Sequence, residues 1–329
     1  MDTLWSRIDP LGEALHFLRM SGVFYCRSEF SAPWALALPV LKGCMMLHVV
    51  TAGGCWLSVK GGAPRRLEEG DLALVPHGDG HRLSSMPGVP AAALFDLPRE
   101  QVSDRYELLR HGGGGEPATM MCAVVRFDHP AADRLISLLP PVIGVAASGS
   151  RALPSEPSNE SHADWLRSTV RLMADEARAP RPGGETVTTR LADIMVIQAI
   201  RWWIATEPAA QRGWLGALQD RQIGRAIALI HRDPARAWTL AELAAEVGMS
   251  RSAFAARFSG LVGEPAMQYT THWRMQVALT WLRDEDARLP EVAARLGYES
   301  EAAFSRAFKR ATGRSPGAVR RSRESLETV

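Results

Sequence analysis

The chain has 329 residues, 46% hydrophobic and 22% charged, with a formal net charge of +2. That length is comfortable for two domains, and the composition is that of an ordinary globular protein, which excludes disordered and collagen-like classes. No apolar run reaches the roughly 18 residues that a membrane span needs, and Met1-Asp-Thr-Leu-Trp5 lacks the basic segment and apolar core of a secretion signal. The four cysteines, Cys26, Cys44, Cys55 and Cys122, have no C-x-x-C spacing. Free thiols in a reducing cytoplasm are therefore expected, not a disulfide framework.

Asp2 to Met20 is predicted to open the chain as a short amphipathic helix through Leu4, Ile8, Leu11, Leu15 and Leu18. From Gly22 to about Arg126 the texture changes. Val23–Cys26, Met45–Val50, Cys55–Val59 and Leu72–Val75 are strand-length apolar runs, separated by Gly-Gly, Lys-Gly-Gly and Pro-His-Gly-Asp-Gly turns. Gly112–Gly115 is a loop tip, and Met121–Val125 reads as a last strand before a short helix. Regularly spaced short strands with tight turns predict an antiparallel barrel or jelly roll.

Within this region Gly70, Pro76, Gly78 and His81 follow the spacing G-x5-P-x-G-x2-H, entered by Glu68-Glu-Gly-Asp71. The stretch resembles the second motif of the cupin barrels. The first cupin motif is degenerate: His48 stands at its first histidine, Val50 where the second would be, Cys55 at the usual glutamate, and Gly62 at the following glycine. The resemblance implies a cupin-like sensor barrel. His48, Cys55 and His81, with His77 as a fourth donor, would supply imidazole and thiolate ligands suited to zinc or another divalent metal. Against a metal, Val50 replaces a histidine that metal cupins use, and a strand histidine can simply hydrogen-bond in the core. Cys26, beside Arg27, and Cys55 are also candidates for a redox-reactive thiolate; buried, unreactive cysteine is the alternative.

Ala146 to Ser161 is irregular by composition. Two helices follow. Ala163 to Ala177 places Trp165, Leu166, Val170 and Met173 on one side, and Glu185 to Thr206 carries an apolar stripe of Val187, Leu191, Ile194, Met195, Ile197 and Trp202. These faces pack on the barrel or form a dimer interface. Arg212 to Asp220 is read as a linker, dividing the chain into a sensor and dimerisation domain (1–218) and a second domain (219–329).

The second domain says nearly the same thing twice. Leu240, Leu243, Ala244, Val247, Gly248, Phe254, Phe258, Gly263 and Pro265 are echoed by Leu289, Val292, Ala293, Leu296, Gly297, Phe304, Phe308, Gly313 and Pro316. The offset is 49 residues up to the glycines, 50 at the phenylalanines and 51 at the prolines. Each copy decodes as a short helix, a glycine stop, and a second helix capped by Ser250 or by Ser300 or Glu299. A long helix from Pro265 to about Asp284 joins them. Such a unit places its second helix in the DNA major groove.

From about Ile223 to Arg321 the chain resembles the DNA-binding domain of the AraC/XylS transcription regulators. The match is especially close over Leu296-Gly-Tyr-Glu-Ser300, Phe304-Ser-Arg-Ala-Phe-Lys309 and Gly313-Arg-Ser-Pro316. With Phe254 and Phe258 turned inward, Arg251, Ser252, Ala255 and Ala256 face the groove; in the second copy Glu301, Ala302, Ser305 and Arg306 do. The resemblance puts base readers at Ser252, Ala255, Ala256, Glu301, Ala302, Ser305 and Arg306. The two alanines offer only methyl contacts, so Arg306 is expected to carry the main guanine-type contact, with Arg251 and Lys309 on phosphate.

Charge agrees. Residues 221–329 hold 17 Lys+Arg against 12 Asp+Glu, and Arg306 to Arg323 contains seven basic residues and no acid. The overall expectation is an α+β protein: an N-terminal antiparallel β-barrel of cupin or jelly-roll type with helices, then an all-α domain with two helix-turn-helix units. It would be a dimeric transcription regulator, an activator by resemblance, with promoter DNA, RNA polymerase and a small-molecule effector as partners. A cupin metalloenzyme fused to a DNA-binding module is the alternative, weakened by the missing metal ligand. A DNA-alkylation repair protein is a third, and the absence of a four-cysteine cluster counts against it.

Overall fold

A computed structural model describes residues 20–127, 132–146, 157–178, 182–208, 213–284 and 287–319. The expected amino-terminal helix lies outside these, apart from Met20, which already belongs to a strand. The described residues form two compact units, one of residues 20–127 and 136–206, the other of residues from 207 onward with residues 132–135.

The first unit is sheet-rich. Its strands are β1 (Met20–Ser31), β2 (Ala35–Leu38), β3 (Met45–Ala52), β4 (Gly54–Val59), β5 (Arg65–Glu68), β6 (Leu72–Val75), β7 (His81–Ser84), β8 (Ala92–Ala93), β9 (Arg99–Ser103), β10 (Tyr106–Gly112), β11 (Pro117–Phe127) and β12 (Ile143–Val145). They make a seven-stranded sheet, β12-β6-β3-β11-β1-β10-β9, and a five-stranded sheet, β5-β4-β7-β2-β8. The expected strand runs all fall within these elements. Two features depart from the expected antiparallel barrel. The two ladders do not close on each other, and β1 pairs with β10, and β2 with β8, in parallel.

The glycine run acts where β10 turns into β11. A Cβ on Gly112 would sit 1.9 Å from the Ser31 carbonyl oxygen, so only glycine lets the strands approach there.

Alternation along β3 explains how the unit is layered. Met46 and Val50 join a core shared with Leu57 and Leu83 of the smaller sheet. Met45, Leu47 and Val49 point the other way and are also fully buried. Their cover is helical: α2 (Pro157–Arg178) packs on β3 and α3 (Gly184–Thr206) on β1 and β12, while the short α1 (Ala132–Leu138) precedes β12. A strand buried on both faces reads as a near-continuous apolar run, as Met45–Val50 does with His48 its one polar residue.

The buried face of α3 coincides only in part with the stripe read from the sequence, sharing Met195 with it. Thr188, Ala192, Met195, Ala199 and Trp203 are buried, whereas Val187 and Ile194 are 41% and 42% exposed. The helix is apolar on nearly all sides, so spacing alone could not choose between faces. On the buried side, the Tyr25 hydroxyl donates to the Asp193 carboxylate at 2.7 Å, and Ser103 donates to Glu185 at 2.5 Å, tying α3 to the sheet.

The second unit is helical: α4 (Gly213–Gln219), α5 (Arg221–Arg232), α6 (Leu240–Glu246), α7 (Arg251–Val262), α8 (Ala266–Asp284), α9 (Leu289–Arg295) and α10 (Glu301–Thr312). The stretch read as a linker is therefore largely helix α4, which buries Trp214, Leu215, Ala217 and Leu218 and packs on α5 and α7. Trp214 Nε1 donates to the Tyr269 hydroxyl at 3.0 Å, and that hydroxyl lies 2.7 Å from His231 Nε2. The helical spacing 214, 215, 217, 218 was the signal that could have found α4. Among the described residues, no helix is long and apolar enough to cross a membrane.

Candidate nucleic-acid interface and a buried histidine pair

The two helix-turn-helix units share more than their sequence pattern. After α6, the Gly248 amide donates to the Ala245 carbonyl at 3.1 Å and the Met249 amide to Ala244 at 2.9 Å. After α9, Gly297 donates to Ala294 at 3.0 Å and Tyr298 to Ala293 at 2.9 Å. These are two copies of one Schellman stop, with the glycines at φ +67° and +74°. Next, Ser250 Oγ accepts from the Ala253 amide at 3.3 Å, and Ser300 Oγ from Ala303 at 3.2 Å. Ser300, not Glu299, is thus the cap. Each second helix then turns two phenylalanines inward. Phe254 and Phe258, like Phe304 and Phe308, are fully buried, and within each pair the ring centroids stand 5.6 Å apart.

That anchoring decides what faces outward. On α7, Arg251, Ser252 and Ala256 are exposed and Ala255 is half-buried; on α10, Glu301, Ala302, Arg306 and Lys309 are exposed and Ser305 is half-buried. Of the residues read as groove-facing, all but the half-buried Ala255 and Ser305 are therefore exposed.

Asp220 and Gln222 escaped the sequence reading. The Asp220 carboxylate caps α5 by accepting from the Gln222 and Ile223 amides at 3.0 and 2.9 Å, and it accepts from Arg257 Nη2 on α7 at 2.6 Å. Burial alone would raise this carboxyl, but the Ile223 amide, the Arg257 guanidinium and the Gln222 amide together hold it below the usual carboxylate range. Gln222 reaches the turn, its Nε2 donating to the Val247 carbonyl at 3.0 Å. The first recognition helix is thus tied to the start of α5.

In the sheet unit, the cupin-like motif brings together only part of its donor set. His48 on β3 and His81 on β7 meet across the core, Nε2 to Nε2, at 2.7 Å. The other His48 nitrogen, Nδ1, lies 3.1 Å from Cys122 Sγ, and His81 Nδ1 lies 2.9 Å from the Asp79 carbonyl. A carbonyl only accepts, so His81 Nδ1 carries a proton and, in the neutral ring, its Nε2 accepts. His48 Nε2 must then donate, which leaves His48 Nδ1 to accept from the Cys122 thiol. One order of protons satisfies the whole chain. Burial pushes the pKa of both histidines down, for His48 well down and with His81 adding to the effect, so neutral rings are what this site holds.

These contacts correct the metal expectation. Two nitrogens on one zinc ion, each about 2.0–2.1 Å from it, stand farther apart than a hydrogen bond allows. The three groups also lie in line instead of converging on one point. Cys55 is four residues along β4 from Val59, the register partner of His81, which is about 13 Å of strand. His77 is engaged elsewhere, its Nε2 lying 2.9 Å from the Leu139 carbonyl. Among the described residues, no group of three His, Cys, Asp or Glu side chains is arranged to hold a metal ion. The donors do not fit one.

The redox expectation for Cys26 and Cys55 is corrected in the same way. Both thiols are buried, at 3% and 0% exposure, and burial pushes Cys26 up and Cys55 up to about 12. Neither is a thiolate open to solvent. Cys122, which the sequence did not single out, is the cysteine that touches His48.

Comparison with known proteins agrees with both units. A cupin model matches residues 9–205, and a helix-turn-helix domain model matches residues 243–322. An AraC-like transcription regulator of Streptomyces lividans is 30% identical over 319 residues, covering 95% of this chain and 98% of its own. One of Streptomyces antibioticus is 31% identical over 321 residues, covering 95% and 99%. Among solved structures, the DNA-binding domain of AdpA, in complex with a target DNA, is 30% identical over 31% of this chain and 93% of that one, with a TM-score of 0.30. By the family models and the two Streptomyces relatives, the chain belongs to the AraC-like transcription regulators, with a cupin unit followed by a helix-turn-helix DNA-binding unit.

Proposed function

We propose that this regulator is a homodimeric activator that reads promoter DNA in two consecutive major grooves and answers to a small molecule bound by its jelly-roll cupin unit. The observation that carries the reading is the duplicated presentation of α7 and α10, with the same stop, the same cap and the same phenylalanine anchor in each. Ser252, Ala255 and Ala256 read bases in one groove; Glu301, Ala302, Ser305 and Arg306 read the next. Arg251 and Lys309 bind phosphate. An effector shifts DNA occupancy only if it favours one conformation of the protein over another. The exposed Val187 and Ile194 on α3, with Leu172 on α2, are the apolar positions suited to a second copy. A linear Cys–His–His chain of neutral groups favours regulation over cupin metalloenzyme chemistry.

The experiment is selection of duplexes from a randomised pool by the full-length protein, followed by footprinting. The expected result is one enriched motif protected over two major grooves about one helical turn apart. Enrichment of no sequence would overturn the reading.

A further inference from the structure

Beside the first recognition helix lies a cleft of about 460 Å³ lined by Arg221, Gln222, Arg225, Val247 and Arg257. Its floor is built by contacts already described: Asp220 holds Arg257, and Gln222 holds the turn at Val247 while its Oε1 lies 3.5 Å from Arg257 Nη1. Arg221 and Arg225 form the rim. They are one turn apart on α5, both are exposed, and neither has an ion pair among the described residues.

Three guanidiniums line one cleft, and among the described residues only Arg257 of the three is ion-paired, to Asp220, which leaves a local surplus of positive charge. The position of Arg221 makes this harder to dismiss as an ordinary solvated face. It is the first residue of α5, whose first turn has no acidic side chain. A cation there opposes the helix dipole, and local charge rules are broken most often where a ligand compensates. The amides of that turn cannot take the ligand, because Asp220 already fills them.

The place of the cleft indicates which ligand. Arg257 follows Ala256 directly on α7, so the cleft borders the face that lies in the groove. A helix in the major groove has a phosphate strand along its flank. We infer that Arg221 and Arg225 clamp the DNA backbone beside the groove read by α7, adding to Arg251 two phosphate anchors from outside the alanine-faced first recognition helix. The inference deepens the DNA-binding reading by naming phosphate contacts outside both recognition helices.

The test uses the full-length chain carrying Arg221→Gln and Arg225→Gln, a duplex selected by the wild type, and a scrambled duplex of equal length. Affinity should fall by the same factor on both duplexes, and the slope of log affinity against log salt should become shallower by about 0.9 for each arginine lost. Sequence preference should not change, and Arg225→Lys should keep most of the slope. A thermal midpoint equal to the wild type checks folding. An unchanged slope in a folded variant overturns the clamp. So does loss of transcription activation with duplex affinity intact, which would assign the cluster to an acidic protein partner. Failure of the wild type itself to bind duplex would instead sink the reading beneath it.

Discussion

His48 and His81 face each other across the two sheets, Nε2 to Nε2 at 2.7 Å, each neutral and each with its second nitrogen engaged. Because burial depresses both pKa values, the unfolded chain takes up protons that the folded chain refuses. Stability from this pair is complete above the ordinary histidine value of about 6.5 and is lost as pH falls below it. The thermal midpoint should therefore drop between about pH 7 and pH 5. A His48→Gln, His81→Gln double variant should start less stable but lose less over that window. Equal acid losses in the two proteins would show that the pair is not the titrating element.

Arg306 is exposed on α10, one turn before the basic Lys309 and Arg310. Its replacement by alanine should cost about 1–3 kcal/mol on a selected duplex and little on a scrambled one. The measurement is the ratio of the two affinities. A ratio that stays at the wild-type value would remove Arg306 from base reading.

Asp220 does two jobs that substitution separates. Asparagine can still accept from the Gln222 and Ile223 amides, so Asp220→Asn should cost little beyond the exposed pair with Arg257, about 0.2–1 kcal/mol. Asp220→Ala should lose the cap as well, roughly 0.5–2 kcal/mol. The sign in pH follows from the depressed carboxyl. Its contribution is present above the unfolded carboxylate value of about 3.9 and disappears as pH falls through the folded value. Denaturant melts of the three proteins at neutral pH should rank wild type, Asn, Ala.

The two stop glycines look alike in sequence and differ in space. Both are left-handed, but a Cβ on Gly248 meets nothing within 4 Å, whereas one on Gly297 would sit 2.8 Å from the Ala235 carbonyl oxygen. Gly248→Ala should cost about 1–2 kcal/mol for the backbone alone. Gly297→Ala should cost more, and chemical denaturation of the two variants side by side measures the difference.

The helix-turn-helix repeat was legible because each of its signals is local. Gly248 and Gly297 stop a helix, Ser250 and Ser300 start one, and the phenylalanine spacing marks the inner face, all within about one turn of chain. The strand runs were legible for the same reason, since a short apolar run and the glycine turns that bound it are written in neighbouring residues. The buried face of α3 was not. A helix apolar on nearly all sides carries no periodic signal, and only the sheet beneath it settled that Met195 and Ala199 go in while Ile194 stays out.

The sequence by itself thus determined the strand runs and the two helix-turn-helix repeats with their inward phenylalanines, and its resemblance to the AraC/XylS regulators implied DNA binding. Tertiary structure alone decided what joins at a distance. It set Cys122 against His48 through the β11–β3 register, placed His81 opposite instead of Cys55, and laid Arg257 on Asp220 beside Arg221 and Arg225. Such contacts depend on strand register and helix packing between residues tens of positions apart, and no local period in a chain encodes them.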